Sequence, residues 1–565
     1  MSSIYDKASL VLIPSGTKTS KVYSQKPVNG DGDFTFSRST AATRVNADGN
    51  IEKETQNLLL QSNSFDTTWG NSSTTETSGQ SGYDGTNNAW LLSKSAASGY
   101  IVQFVSVSGV QTFSVYVKAN ASTWGLLQCI GGSNPYAYFN LDTGVVGSIG
   151  GGTISSSIED VGGDWYRISM IHNTTISSAR IYPAESNTAS GTSGSIYIQD
   201  AQLEQGLVAR DYIETTTAAV EGGMTDNVPR LDYTDSSCPA LLLEPQRTNV
   251  ATHSEYFGAW DIVRATSVAN SSVSPDGTSN AYKLEANVTS SNGSWFREIL
   301  SSFSGNYEFS VFAKAGTTDF LQLRVDGTGG VVFDLSDGTI KSEENAVGSV
   351  LDYGNGWYRC SIQLTASSST TLLIIVGNEN MSTSVWSSTN GDSVYLYGAM
   401  LEAGSYATSY IPTYGTSVTR NGETLQLTGM SSDVASGATS GTLMVEFDYT
   451  QQSFGDVVQW YSSNTSQGRG YLYNRSLGFA DTWGSAGLGT TDGVNTKVIW
   501  RLDSLSSGTF FKDGVKGNDV DTTTQAWNNI DNLFIRGHYG TINVRQIIFV
   551  PYALTNEAAI DLTTL

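Results

Sequence analysis

Apolar and polar residues alternate along most of this chain. In Phe309-Ser310-Val311-Phe312-Ala313-Lys314 one face carries Phe, Val and Ala, and the other carries Ser, Phe and Lys. Thr442 to Tyr449 and Thr496 to Leu502 follow the same rhythm. A period of two marks a strand with one face against a core. Short alternating runs are separated by Gly, Ser and Asn, and Asp84-Gly85, Asp276-Gly277 and Asp337-Gly338 supply the turn chemistry of tight connections. Leu554-Thr555-Asn556-Glu557-Ala558-Ala559-Ile560 is the exception, a short helical pattern with Thr555 as its N-cap. The pattern predicts an all-β protein of antiparallel β-sandwich (jelly-roll) domains.

The strands recur. Asp84-Gly85-Thr86 matches Asp276-Gly277-Thr278, and Trp165-Tyr166-Arg167 matches Trp357-Tyr358-Arg359, both at an offset of 192 residues. Phe113 to Ala119 matches Phe309 to Ala315 at 196, and Gln202-Leu203-Glu204 matches Met400-Leu401-Glu402 at 198. Leu58-Leu59-Leu60 is aligned with Leu241-Leu242-Leu243 at 183, each triplet being followed by a tryptophan, Trp69 or Trp260. Matches in one order at a domain-sized period predict two duplicated sandwiches. Residues 421–565 carry a different strand set, with a Phe510-Phe511-Lys512-Asp513-Gly514-Val515 hairpin, and predict a third, unlike sandwich. The expected divisions are 1–53, a leader too short and polar for its own core; 54–220; 221–420; and 421–565.

Composition narrows the function. The net charge is −23, from 53 acidic and 30 basic residues. Such a surface repels phosphate backbones, so no nucleic-acid partner is expected. Cys129, Cys238 and Cys360 are odd in number and show no metal-ligand spacing, which predicts neither a disulfide framework nor a zinc site. A polar segment follows Met1, so no signal peptide is expected. No run reaches the ~18 apolar residues of a membrane span.

Several phrases resemble those of bacteriophage virion proteins. They are Phe36-Ser37-Arg38-Ser39-Thr40-Ala41-Ala42-Thr43-Arg44-Val45-Asn46, Val228-Pro229-Arg230-Leu231-Asp232-Tyr233, Leu241 to Asn249, and Ala407 to Arg420. Similar phrases occur in tail-fibre-like, head-fibre-like and other appendage proteins of tailed phages. The resemblance spans roughly residues 1–420 and implies a string of carbohydrate-binding-module-like jelly rolls. Residues 421–565 are similar to concanavalin-like (laminin-G-like) lectin domains. In the family the leader runs almost directly into the Val228 phrase. Here the first jelly roll lies between them as an inserted duplicate, so residues 1–53 are expected to meet residues 225–247.

No catalytic pattern stands out. His172, His253 and His538 lie in no metal-protease motif, and there is no G-x-S-x-G. The Asn29 to Asp33 loop lacks the glycine and terminal glutamate of a calcium loop and reads as a turn. Asp200 faces Gly398 in the repeat, so a calcium there would not be common to both copies. No cofactor, metal or enzymatic activity is expected. Sugar binding needs aromatic faces beside polar side chains. The candidates are Trp124, Tyr136 and Tyr138 in the first copy, and Trp295, Phe296, Phe320 and Arg324 in the second, each weighed against a place in the core. Trp165, Trp357, Trp69 and Trp260 recur within matched segments and are expected to be core.

The resulting expectation is a non-enzymatic virion protein, a fibre or appendage binding host-surface glycans outside the cell. Its partners would be other virion proteins and those glycans, its assembly a homo-oligomer with the trimer that the resemblance implies, and it would not insert in a membrane. The alternatives are a purely structural capsid or tail decoration protein, and a polysaccharide depolymerase with an unrecognised carboxylate pair.

Overall fold

The computed structural model describes residues 4–451, 453, 455–461, 470–473, 476–479, 484–489, 493–504, 507–521 and 529–564. The protein is all-β. Two duplicated antiparallel sandwiches are joined to a third, different one. Among the described residues the one longer helix, Asn556–Thr563, begins where the sequence puts it, with the Thr555 side chain accepting from the Ala558 amide.

The first sandwich stacks two six-stranded sheets. One runs Thr153–Gly162, Trp165–Asn173, Val110–Ala119, Ser195–Gln205, Ala89–Lys94, Thr74–Gln80; the other runs Val145–Gly150, Tyr136–Asn140, Trp124–Ile130, Ile176–Ala184, Tyr100–Val107, Gly70–Ser72. Phe113, Val115, Leu127, Phe139, Met170 and Ile181 fill the space between them. The second sandwich repeats this order, but two of its strands, Ser294–Ala315 and Trp357–Gly377, run unbroken through both layers.

One asparagine anchors each copy. The Asn57 amide donates to the carbonyls of Ala201 and Ile213 (3.0 and 2.8 Å) and accepts from the Leu59 and Leu203 amides (3.1 and 3.2 Å). Asn249 does the same with Ala399, Ile411, Ala251 and Leu401 (3.1, 2.8, 3.1 and 3.0 Å). Trp69 Nε1 donates to the Gln61 carbonyl and Trp260 Nε1 to that of His253. Thr215 Oγ1 donates to the Leu59 carbonyl and Thr413 Oγ1 to that of Ala251.

These bonds correct one alignment. The counterpart of Leu58-Leu59-Leu60 is Val250-Ala251-Thr252, at the same 192-residue offset as the Asp-Gly and Trp-Tyr-Arg matches. Leu241-Leu242-Leu243 opens no jelly roll. It lies in the strand Ala240–Leu243 of the third sandwich, paired with Val544, Asn543 and Ile542. A run of three leucines carries burial but no address.

The third sandwich also takes in the leader, which packs as part of its sheets. Leu10–Leu12 pairs with Phe549, Ile548 and Ile547, and Phe34–Ser37 pairs with Thr424–Thr428. Leu10, Leu12, Phe34, Phe36, Leu241 and Leu243 are at most 1% exposed in its core. Each such side chain contributes about 1.5–3 kcal/mol. The third sandwich is therefore built from three separated stretches, with the first two sandwiches between them in sequence. Residues 1–53 meet the Val228 region directly: the Asn227 amide donates to the Arg38 carbonyl (2.7 Å) and the Val45 amide to Asp232 (2.9 Å).

The stretches are tied by a buried ionic knot. Glu423 Oε1 accepts from Arg38 (2.7 Å) and Arg230 Nε (2.9 Å). Its Oε2 accepts from Arg230 NH2 and from the Glu244 amide (2.8 Å). Glu244 in turn meets Arg230 (2.7 Å), Arg420 (2.8 Å) and the Ser409 hydroxyl (2.6 Å). The side chains of Arg38, Arg230, Arg420 and Glu423 are fully buried. Burial alone opposes the Glu244 charge, but Arg420, Arg230 and Ser409 together hold its carboxyl well below the usual range. Removing one member of such a knot strands a buried charge. We expect Glu423→Gln to lower stability by roughly 3–5 kcal/mol, measured by urea unfolding; a loss below about 1 kcal/mol would show that the knot behaves like a surface pair.

Candidate functional site

The sheet Trp124–Ile130, Tyr136–Asn140 and Ile176–Ala184 turns Leu127, Ala137, Phe139, Ala179 and Ile181 into the core. By alternation, Trp124, Leu126 and Gln128, then Tyr136 and Tyr138, then Arg180 and Tyr182 stand on its outer face. Tyr100, on the neighbouring strand Tyr100–Val107, joins them. Trp124, Tyr136 and Tyr138 are half-buried and pack around Leu126, Tyr182 and Ala184. Tyr136 and Tyr138 meet edge to face at 5.9 Å, and Tyr100 lies 4.9 Å from Tyr182.

Polar groups are set among the rings. Tyr182 OH donates to Gln128 Oε1 (2.8 Å), and Arg180 NH1 donates to Tyr182 OH (3.3 Å). The Arg180 guanidinium sits 4.4 Å over the Tyr100 ring. Burial, more than any neighbour, pushes the Tyr182 hydroxyl up. The face offers aromatic surfaces for stacking, with amide, hydroxyl and guanidinium groups between them. Trp124, Tyr136 and Tyr138 are thus brought together; Tyr100, Gln128, Arg180 and Tyr182 join them without having been singled out from the sequence. The signal for them was available, since each lies at an even position of an alternating strand.

The second copy differs at the same place. Register aligns Phe320 with Trp124, Arg324 with Gln128, Val332 with Tyr138 and Trp295 with Tyr100. Phe296 points inward and is fully buried in the core, which removes it as a candidate. Trp295 and Phe320 pack with Met381 and Trp386 over Val332, Leu373 and Ile375. Met381 and Trp386 belong to the 378–392 connection, which is fifteen residues long against ten for 185–194 in the first copy. Trp386 meets Trp295 edge to face at 5.6 Å, and Arg324 pairs with Glu344 at 2.7 Å. The longer loop roofs the second face, while the first lies open.

The other singled-out residues have structural places. Trp69, Trp165, Trp260 and Trp357 are at most 6% exposed. Asp200 and Gly398 both hold left-handed backbone at a strand irregularity, with φ of 53° and 62°. The Asp200 carboxyl accepts from Tyr83 OH (2.9 Å), and burial pushes it up to about 6. In the second copy the Lys53 ammonium lies between Glu255 (2.5 Å) and Asp276 (3.0 Å). The Asn29 to Asp33 loop is a turn, with the Asp31 amide bonded to Asn29 Oδ1 and Asp33 paired with Lys21. Among the described residues no group of three His, Cys, Asp or Glu could hold a metal, and no helix is long and apolar enough to cross a membrane. Cys129, Cys238 and Cys360 are free.

No family model matches the chain, and no curated protein does. Solved structures match part of it. One is described as Ruminococcus gnavus IT-sialidase CBM40 bound to alpha2,3 sialyllactose; it is 13% identical, over 24% of this chain and 91% of that one, with a TM-score of 0.19.

His172 belongs to no site. It is fully buried, neither ring nitrogen has a partner among the described residues, and the unpartnered Gln111 amide lies across the strand pair. Burial lowers its pKa from 6.5 to about 4. The folded state thus disfavours the proton that the unfolded state takes up below pH 6.5. Stability is full above that pH and falls as pH drops towards 4. We expect a loss on the order of 3 kcal/mol across that window, seen in urea midpoints against pH and missing from His172→Gln; parallel curves for the two proteins would refute it.

Proposed function

We propose that this protein is a non-enzymatic appendage of a tailed-phage virion that binds host-surface glycans through the outer face of its first sandwich. The observation that carries the reading is the open face itself. Pyranose rings present flat apolar C–H surfaces that stack on aromatic rings, while their hydroxyls need amide, hydroxyl or guanidinium partners. Trp124, Tyr136 and Tyr138 supply the first, and Gln128, Arg180 and Tyr182 the second. The phage-like phrases support the virion assignment, and the chain is best divided into a binding sandwich near 54–220 and a roofed spacer from about Asn249 to Arg420, with 221–245 given to the third sandwich. Single-site sugar affinity is weak, and a trimer displaying three such faces would offset this through multivalency. Antibody labelling of particles tests the virion placement, and a virion lacking the protein would exclude it.

Binding is tested on a glycan array with the intact chain. Trp124→Ala and Tyr138→Ala are each expected to weaken binding roughly tenfold or more without shifting the thermal midpoint, because both rings are half-exposed. Unchanged binding by both variants would remove this face as the site.

A further inference from the structure

The charge of the open face is unlike that of the rest of the molecule. Its six strands contain no Asp or Glu, although the chain has 53. They contain one Lys or Arg, which is Arg180. The opposite sheet of the same sandwich carries Glu76, Glu159, Asp160, Asp200 and Glu204. Arg180 is the central residue of its strand segment, between Gln128 on one side and Val102 on the other. Its contacts among the described residues are the Tyr100 ring and the Tyr182 hydroxyl, and its buried Nε has no partner. Glu185, which follows the strand, acts on Lys94 instead.

Several other guanidiniums are neutralised, whereas Arg264 and Arg359 spend donors on backbone carbonyls. Arg324, on the roofed second face, pairs with Glu344 at 2.7 Å. Arg38, Arg230 and Arg420 sit in the Glu244–Glu423 knot. Among the described residues Arg180 stands without a carboxylate, on a platform of rings that lowers the local dielectric and fixes its plane.

We propose that the open face selects acidic glycans, with Arg180 receiving the carboxylate of a uronate-type or sialate-type residue while the neighbouring rings stack on the sugars. This rests on the glycan-binding reading above and names the class of ligand for the same face. The arginine fork matches a carboxylate, and a charged hydrogen bond is about twice as strong as a neutral one. The −23 net charge does not forbid it, because repulsion from distant acids is screened beyond a Debye length of about 8 Å and none of those acids lies in this sheet. The acid-free sheet is what permits an anionic chain to approach.

The test uses the full chain on an array of neutral and acidic bacterial polysaccharides. Each acidic polymer that is retained is then compared with its carboxyl-reduced form, made with carbodiimide and borohydride. The wild type is expected to bind the acidic form roughly tenfold more tightly than the reduced one, about 1.4 kcal/mol. Arg180→Gln should erase that ratio at an unchanged thermal midpoint, and Arg180→Lys should keep part of it. Trp124→Ala should weaken both forms alike. Retention of neutral polysaccharides only, or a ratio that survives in Arg180→Gln, overturns the choice of acidic ligands and leaves glycan binding standing. Retention of no polysaccharide at all overturns both.

Discussion

The carboxylate of Glu423 is the point on which the rest of the structure depends. It receives Arg38 from the N-terminal stretch, Arg230 from the link between the first two sandwiches, and the backbone amide of Glu244. Arg420 enters through Glu244 from the end of the second sandwich. Partners as far apart as 385 residues are thereby held in one buried site. Desolvating so many charges is expensive, and a hydrophobic replacement could be as stable. What the knot supplies is direction. Each guanidinium spends donors on particular carbonyls, hydroxyls and carboxylates, as Arg38 does on the carbonyls of Thr40, Thr225 and Val228. Only one relative placement of the three stretches satisfies all of them.

That placement explains why the phage-like phrases read as phrases. Arg38, Arg230, Glu244, Ser409 and Arg420 each lie in one of them, and all converge on the knot. Thr413 and Tyr410 of the last phrase close the anchor of the second sandwich, as Thr215 and Tyr212 do in the first. The most recognisable parts of the chain are thus joints. The open aromatic face lies elsewhere, in strands of ordinary composition.

Duplication left the joints alike and let the faces part. Asn57 and Asn249 hold matching hydrogen bonds, whereas the outer faces differ by loop length and by the partners of one arginine each. A connection of fifteen residues lays Met381 and Trp386 across the second face; one of ten leaves the first uncovered. A scaffold built on backbone hydrogen bonds tolerates such change because the loop touches none of its anchors.

Strand content, the repeat, the helix at Asn556–Thr563 and the aromatic candidates Trp124, Tyr136 and Tyr138 were legible in the sequence, because alternation, capping and turn chemistry are local. Alternation states which residues of a strand are buried. It does not state against which sheet, and so Leu241-Leu242-Leu243 was assigned to a jelly roll when it pairs with Ile542 to Val544. Phe296 and Trp295 differ by one position and face opposite ways, a distinction set by register with Ile374 and Ile375. Register, the nesting of two sandwiches within a third, and the lack of a carboxylate partner for Arg180 among the described residues are long-range outcomes. They follow from pairings between residues hundreds of positions apart, and only the tertiary structure could decide them.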